Sequence, residues 1–297
     1  ADWTACDTAA GFVTLGDRKL RFGELAEDAA RQVPPVEPQY RAANAEPLYG
    51  EEVMRLDLPA KVDGSMNYAG DIRLPGLVYA AIRQGPVGDT RLIRINKAAG
   101  LKSPGLLHYV RTERWLATVG RNWWAANRAL DRFAPVFETS GAAVSSDSIT
   151  GALELALKGD GTRIHSRGDI AAAFAGRRLL SGAYRVQPAL HAAIETRSVT
   201  AAPDGSRLRL WVATQAPAQC RAAVAKATGL AEEAITLFPM PAGGSFGIAL
   251  EHDAAVQAAI IARTIDKPVQ LVWSRAEEIM RDLPRAPAQA RLTASLN

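Results

Sequence analysis

The sequence predicts a fold of α/β (α+β) class, on three observations. Arg207-Leu208-Arg209-Leu210-Trp211-Val212 alternates charged and apolar residues, the period of a half-buried strand. Residues 250–265 are rich in alanine and isoleucine, the composition of a largely buried helix. Between them, Ile235-Thr236-Leu237-Phe238 reads as a strand that runs into Met240-Pro241-Ala242-Gly243-Gly244-Ser245-Phe246-Gly247, a glycine-rich turn.

The remaining elements follow in order. Phe12-Val13-Thr14 and Leu20-Arg21-Phe22 flank a turn at Gly16-Asp17, and Phe22, Leu25, Ala26 and Ala29 then fall at helical spacing. Pro34, Pro35 and Pro38 stop that helix, and residues 36–55 read as irregular. Residues 1–55 are too small for a domain and are expected to pack on another part of the protein. Residues 56–137 read as an α/β unit. Tyr68, Asp71-Ile72 and residues 77–82 suggest strands around a turn at Leu74-Pro75-Gly76. Residues 90–95, 105–110 and 115–119 suggest further strands, and a helix carries Trp123, Trp124, Asn127, Ala129 and Leu130. The paired tryptophans favour core packing over a binding surface, because Trp buries a large area.

Residues 138–183 read as a connection with two short helices. One lies at 148–157 and ends at Gly159; the other starts at the N-cap Asp169 and ends at Gly176. Residues 184–297 read as a second α/β unit. A helix at 218–228 closes at Gly229, a strand spans 269–273, and Ser274-Arg275-Ala276-Glu277 is a capping box opening one more helix.

Composition bounds the function. The chain of 297 residues is 48% hydrophobic and 22% charged, enough for two cores. It has no run of 18 apolar residues, so no transmembrane helix is expected. A net charge of +4 with scattered basic residues argues against nucleic-acid binding. Cys6 and Cys220 can form neither an iron–sulfur ligand set nor a CxxC pair. His108, His165, His191 and His252 lack metal-ligand spacing, so no side-chain metal site is expected. The opening Ala1-Asp2-Trp3 is not an intact signal peptide and reads as the start of a processed, truncated or excised chain.

Three chemistries compete at the glycine loop, beside the plain reading of a structural turn with Phe246 as a core plug. Gly243-Gly244-Ser245-Phe246-Gly247 fits the G-x-S-x-G nucleophile elbow of serine hydrolases. Pro239 and Pro241 interrupt the strand before it, however, and His252 is too near in sequence to be the distant third member. No full nucleotide motif is present, but the backbone amides could hold another anionic or oxo group.

The third comes from resemblance. The loop resembles the Gly-Gly-x-Phe-Gly signature of the molybdenum hydroxylases, the xanthine dehydrogenase and aldehyde oxidase large subunits. Ordered motifs around it are similar too: Tyr184-Arg185-Val186-Gln187-Pro188 with His191-Ala192-Ala193-Ile194-Glu195-Thr196, then Trp211-Val212-Ala213-Thr214-Gln215-Ala216-Pro217, then Pro268-Val269-Gln270-Leu271-Val272-Trp273-Ser274-Arg275-Ala276-Glu277. Residues 55–64 and 71–80 resemble the start of that family's α/β hammerhead domain, and Trp123-Trp124-Ala125-Ala126 fits there. The subgroup most resembled is the bacterial isoquinoline 1-oxidoreductase beta subunit and aldehyde dehydrogenase type.

The resemblance implies a hammerhead domain at 56–137 and the first part of a molybdopterin-binding domain at 184–297. It implies hydroxylation of an aldehyde or N-heterocycle carbon of a small-molecule substrate, with water as the oxygen source. The cofactor would be molybdopterin, in its cytosine dinucleotide form, with molybdenum held by the pterin dithiolene and by no side chain. Gly243, Gly244, Ser245, Phe246 and Gly247 would approach the metal's oxo face, Gly247 N–H as donor and Ser245 as spacer. Phe246 would wall the substrate pocket, and Glu251 would reach it or simply favour the helix dipole. His191, Glu195, Thr214 and Gln215 would brace the site from behind. The general-base glutamate is expected beyond residue 297, in a C-terminal half on a separate chain or missing portion, so the chain by itself is expected to be inactive. 2Fe–2S clusters would sit on an iron–sulfur partner subunit. The chain departs from the family at Ala189, where some members carry a cofactor-binding glutamine, which argues against purine oxidation. A cofactor-free scaffold remains the non-enzyme alternative, and both a periplasmic and a cytoplasmic location stay open.

Overall fold

The computed structural model describes residues 5–34, 36–37, 50–141 and 144–295. The chain divides into two compact units, residues 1–64 and 65–297. In the first, β1 (Asp7–Ala9), β2 (Phe12–Leu15) and β3 (Arg18–Arg21) form an antiparallel meander. The helix α1 (Phe22–Ala29) follows at once, its start fixed by Glu24, whose carboxylate accepts from the Arg21 N–H at 2.7 Å. A short helix, α2 (Leu58–Val62), closes the unit, and Pro59 near its start explains why it forms there. Pro35 and Pro38 lie outside the described residues.

The second unit begins with a 3-10 turn at Ala69–Asp71. Then come β4 (Val78–Gln84), β5 (Asp89–Arg94), α3 (Lys97–Gly100), β6 (Leu106–Arg111), β7 (Trp115–Gly120), α4 (Trp123–Phe133) and β8 (Val136–Ser140). The connection holds α5 (Ser146–Ala156) and α6 (Ile170–Phe174). After it run β9 (Leu179–Val186), β10 (Ser198–Asp204), β11 (Arg207–Ala213), α7 (Pro217–Thr228), β12 (Ile235–Met240), α8 (Asp253–Ile265), β13 (Val269–Val272), α9 (Arg275–Met280) and β14 (Ala288–Ser295).

One mixed sheet organises this unit, in the order β12-β11-β10-β13-β4-β7-β6. The pairs β11–β12 and β13–β4 are parallel and the others antiparallel. Segments 56–137 and 184–297 therefore share a sheet, because Val269 of β13 pairs with Val78 of β4. Both strands are rich in residues that can be buried on two faces, as parallel strands require. The main core lies on this sheet beneath α7 and α8, with Leu208, Leu210, Val224, Ile261 and Leu271 buried. A smaller core under α4 holds Leu116, Leu130 and Phe133.

Most expected elements occur where the sequence places them. Tyr68, Asp71 and Ile72 do not form a strand: Ala69–Asp71 is a 3-10 turn held by the Asp71 carboxylate, which accepts from Tyr68 N–H. The helix expected from residue 250 starts at Asp253, because the chain first makes a 3-10 turn at Ile248–Leu250. The tryptophan pair divides its work. Trp123 Nε1 donates to the Val272 carbonyl at 2.9 Å, whereas Trp124 is 63% exposed. Among the described residues no helix is long and apolar enough to cross a membrane.

Candidate functional site

The glycine loop leaves the open edge of the sheet. Among the described residues β12 is paired only with β11, so the missing N–H of Pro239 costs no ladder bond. Beyond Met240 the chain turns sharply, with Gly244 at φ +68°, Phe246 at +52° and Gly247 at +111°. The left-handed region is open to glycine but strained for phenylalanine. Phe246 is also half exposed, so its ring is no core plug.

The loop is tied to residues 191–197. Glu195 N–H donates to Gly243 O at 2.8 Å, and Ile194 N–H to Gly244 O at 3.1 Å. In return Gly243 N–H donates to the Glu195 carboxylate at 3.2 Å, and Ser198 Oγ donates to its other oxygen at 3.0 Å. Burial pushes the Glu195 carboxyl above the usual carboxylate range, more strongly than these two hydrogen bonds hold it down. A Cβ at Gly243 would stand 2.6 Å from the Glu195 side chain, so close approach here requires glycine.

The other expected bracing residues fall around the loop. Gln215 N–H donates to Ala249 O at 3.1 Å, and its side-chain oxygen accepts from Ser245 Oγ at 3.3 Å. Thr214 instead makes a local turn, its Oγ1 accepting from Ala216 N–H. His191 lies across from Gly247, where an added Cβ would meet its ring at 3.4 Å. Glu251 precedes α8 and borders a cavity of about 40 Å³ behind the loop, which has room for water and not for an organic substrate. Ser245 is bonded to Gln215 and to no histidine among the described residues, so a serine nucleophile is not assembled.

The structure adds residues that spacing did not reveal. Buried Asp282 accepts from His191 N–H at 2.6 Å and meets its Nδ1 at 2.8 Å, which orients the ring. Three arginines hold carbonyls. Arg197 donates to Ile248 O and Glu251 O, Arg275 to Ala193 O and Ile194 O, and Arg285 to Phe246 O at 2.8 Å. Arg275 stands in a quoted motif; Arg197, Asp282 and Arg285 sit in stretches with no recognisable spacing.

With the carbonyls so occupied, the loop's amides have a clear orientation. Among the described residues the N–H groups of Ser245, Phe246 and Gly247 meet no protein acceptor, while Gly244 and Ile248 on either side are bonded to Ala242 O and Ser245 O. Successive free amides in a left-handed turn form a concave donor site for an anionic or oxo group. Residues 157–297 match the family model described as the molybdopterin cofactor-binding domain. In that segment the chain is similar to a molybdopterin cofactor-binding domain. Such a cofactor presents oxygen acceptors, so the free amides fit it.

The relatives agree with this domain. The beta chain of isoquinoline 1-oxidoreductase from Brevundimonas diminuta is 29% identical over 84% of this chain. A nicotinate dehydrogenase subunit from Pseudomonas putida is 24% identical over 91% of it. The chain spans 33% and 24% of the length of these two relatives. Among solved structures, quinoline 2-oxidoreductase from Pseudomonas putida 86 superposes with a TM-score of 0.65 at 18% identity, over 84% of this chain and 37% of its own. Aldehyde oxidoreductase from Desulfovibrio gigas gives 0.65 at 16% identity, over 81% and 32%. These two show a shared fold. The first of these relatives bears the name of the subgroup whose ordered motifs this chain resembles.

Proposed function

We propose that this chain forms one wall of the molybdopterin site in a molybdenum-dependent oxidoreductase that hydroxylates an aldehyde or N-heterocycle carbon with water as oxygen source. The observation that carries the reading is the run of free amides at Ser245, Phe246 and Gly247 within the cofactor-binding domain. When bound, the molybdenum centre supplies two-electron oxidation of the substrate carbon. The chain's own part is binding and orientation. The three amides would face the oxo group, where preorganised donors cost little reorganisation as charge develops. The exposed Phe246 ring would wall the substrate pocket, with Glu251 nearby. His191, fixed by Asp282, backs Gly247. Glu195 and Gln215 hold the loop from opposite sides, and Thr214 shapes the turn before α7.

The relatives named as subunits favour an assembly. In this reading a further part of the large subunit supplies the general-base glutamate, an iron–sulfur subunit carries 2Fe–2S clusters, and the pterin is the cytosine dinucleotide. The 297 residues by themselves then bind part of the cofactor surface and do not turn over. Molybdenum, pterin and nucleotide analysis of the native assembly tests this. Stoichiometric molybdenum and pterin are expected, and a complete assembly containing neither overturns the proposal. Replacing Gly247 by valine should lower the molybdenum content, because its side chain would enter the space between loop and His191.

A further inference from the structure

The helix α4 buries one face, with Ala126, Ala129, Leu130 and Phe133 in the smaller core. On its outward face Trp124, Arg128 and Arg132 follow one another at i, i+4 and i+8, a single stripe along the helix. A groove of about 420 Å³ runs beside this stripe and takes all three residues into its lining. Ser103, Pro104, Asn122 and Ala125 complete the lining, so among the described residues no carboxylate borders the groove. Two more exposed cations, Lys102 and Arg121, are the chain neighbours of Ser103 and Asn122.

The stripe is open to solvent. Trp124 is 63% exposed, and both arginines are exposed. The Arg128 guanidinium lies over the Trp124 ring, 5.6 Å from its centroid. Arg132 Nη1 donates to Lys102 O at 3.0 Å, which steadies that guanidinium. Like charges one turn apart on a helix repel. Asp131, the acidic residue of α4, does not relieve this, because it pairs with Arg83 at 3.2 Å. Among the described residues no ion pair reaches Arg128, Arg132, Lys102 or Arg121. The exposed helix face therefore carries two unfavourable features at once, an uncovered indole and uncompensated positive charge.

One occupant relieves both. The structure assigns this groove to an extended, acidic segment of a partner protein, with an apolar side chain on Trp124 and carboxylates on Arg128 and Arg132. The spacing fits such a segment. Four helical residues rise about 6 Å, and alternate residues of an extended chain are about 6.6 Å apart. An apolar residue followed at two and four positions by acids thus runs in step with Trp124, Arg128 and Arg132. Guanidinium matches carboxylate in planar geometry, and Trp and Arg are the residues enriched where proteins meet. A lipid surface is flat and would want a broad apolar face, whereas this is a groove with one indole. The inference uses no residue of the glycine loop and stands apart from the molybdopterin reading.

The test is an NMR titration of the full chain with the acetylated, amidated peptide Leu-Ser-Glu-Ser-Glu, read at the Trp124 indole N–H. The loss of that resonance in Trp124→Ala assigns it. A saturable shift is expected, with affinity falling as sodium chloride is raised. Arg128→Gln and Arg132→Gln should each weaken binding about threefold, the range of an exposed ion pair. The peptide Leu-Ser-Gln-Ser-Gln should bind about tenfold more weakly, the two losses together. Both arginines are exposed, so their variants should keep the wild-type unfolding midpoint. An unmoved Trp124 resonance, equal binding of the glutamine peptide, or affinity unaltered in both arginine variants would overturn the proposal. Phosphatidylglycerol vesicles are sedimented with the chain in parallel. Binding to them that the same variants abolish would also overturn it, by assigning the stripe to a lipid surface.

Discussion

Replacing Glu277 by glutamine should remove most of one pH dependence of folding. The Glu277 side chain is only 4% exposed. One carboxylate oxygen accepts from Gln84 N–H at 2.9 Å, and Arg83 Nε is 3.9 Å from the other. Burial outweighs both, raising the carboxyl from 4.5 to about 7. A raised pKa means that the folded protein favours the protonated acid. The stabilisation is complete below pH 4.5 and is lost as pH rises through about 7. At 1.36 kcal/mol per pKa unit the loss is about 3 kcal/mol. Glutamine keeps an acceptor for Gln84 N–H and cannot ionise. Urea unfolding of both proteins, followed by tryptophan fluorescence between pH 4.5 and 8, checks this. The wild-type stability relative to the variant should fall by about 3 kcal/mol across the window, since other carboxylates cancel in the difference. Parallel stability curves would refute the claim that desolvation governs Glu277.

Other outcomes follow from the loop and its anchors. Gly243→Ala sets a Cβ 2.6 Å from the Glu195 side chain and should cost about 1–3 kcal/mol by overpacking, read as a lower unfolding midpoint. Asp282→Ala strips the acceptor from both His191 N–H and Nδ1. It should cost about 2–3 kcal/mol in denaturant unfolding, and an unchanged midpoint would remove Asp282 as the anchor of that ring. Phe246→Gly relieves a left-handed backbone at an exposed side chain and should stabilise the chain by roughly 1 kcal/mol, while molybdenum content of the native assembly is retained.

Elements with a strong period were legible in the sequence. β11 shows the clean alternation of a strand with one buried face, and α7 carries both its first-turn proline and its closing Gly229. β10 escaped notice because Ser198-Val199-Thr200-Ala201-Ala202-Pro203-Asp204 has small residues and no alternation. It lies between β11 and β13 against the alanine-rich α8, where close approach selects small side chains on both faces. β9 and β14 escaped for the opposite reason: among the described residues they pair only with each other and are exposed along most of their length, so no face is marked apolar. The capping box at Ser274 is half right. Ser274 Oγ accepts from Glu277 N–H, but the Glu277 carboxylate turns away to Gln84.

At the site, the glycine pattern and its ordered neighbours were readable because backbone geometry restricts residue type there. Asp282, Arg197 and Arg285 were not. Their partners are distant in sequence, and an arginine that holds a carbonyl has the same composition signal as one in solvent.

The pairing of β13 with β4 also sets an order of events. The strand holding Val78 is complete early in synthesis, yet its parallel neighbour, holding Val269, emerges only after α8. Until then one side of β4 offers unpaired N–H and C=O groups, the kind of edge that invites wrong partners. Pairing across such a separation is slow, and the segment bearing Arg275, Asp282 and Arg285 emerges later still. The donor loop therefore takes its fixed shape only after these anchors have emerged, and a cofactor that depends on that shape would bind after them.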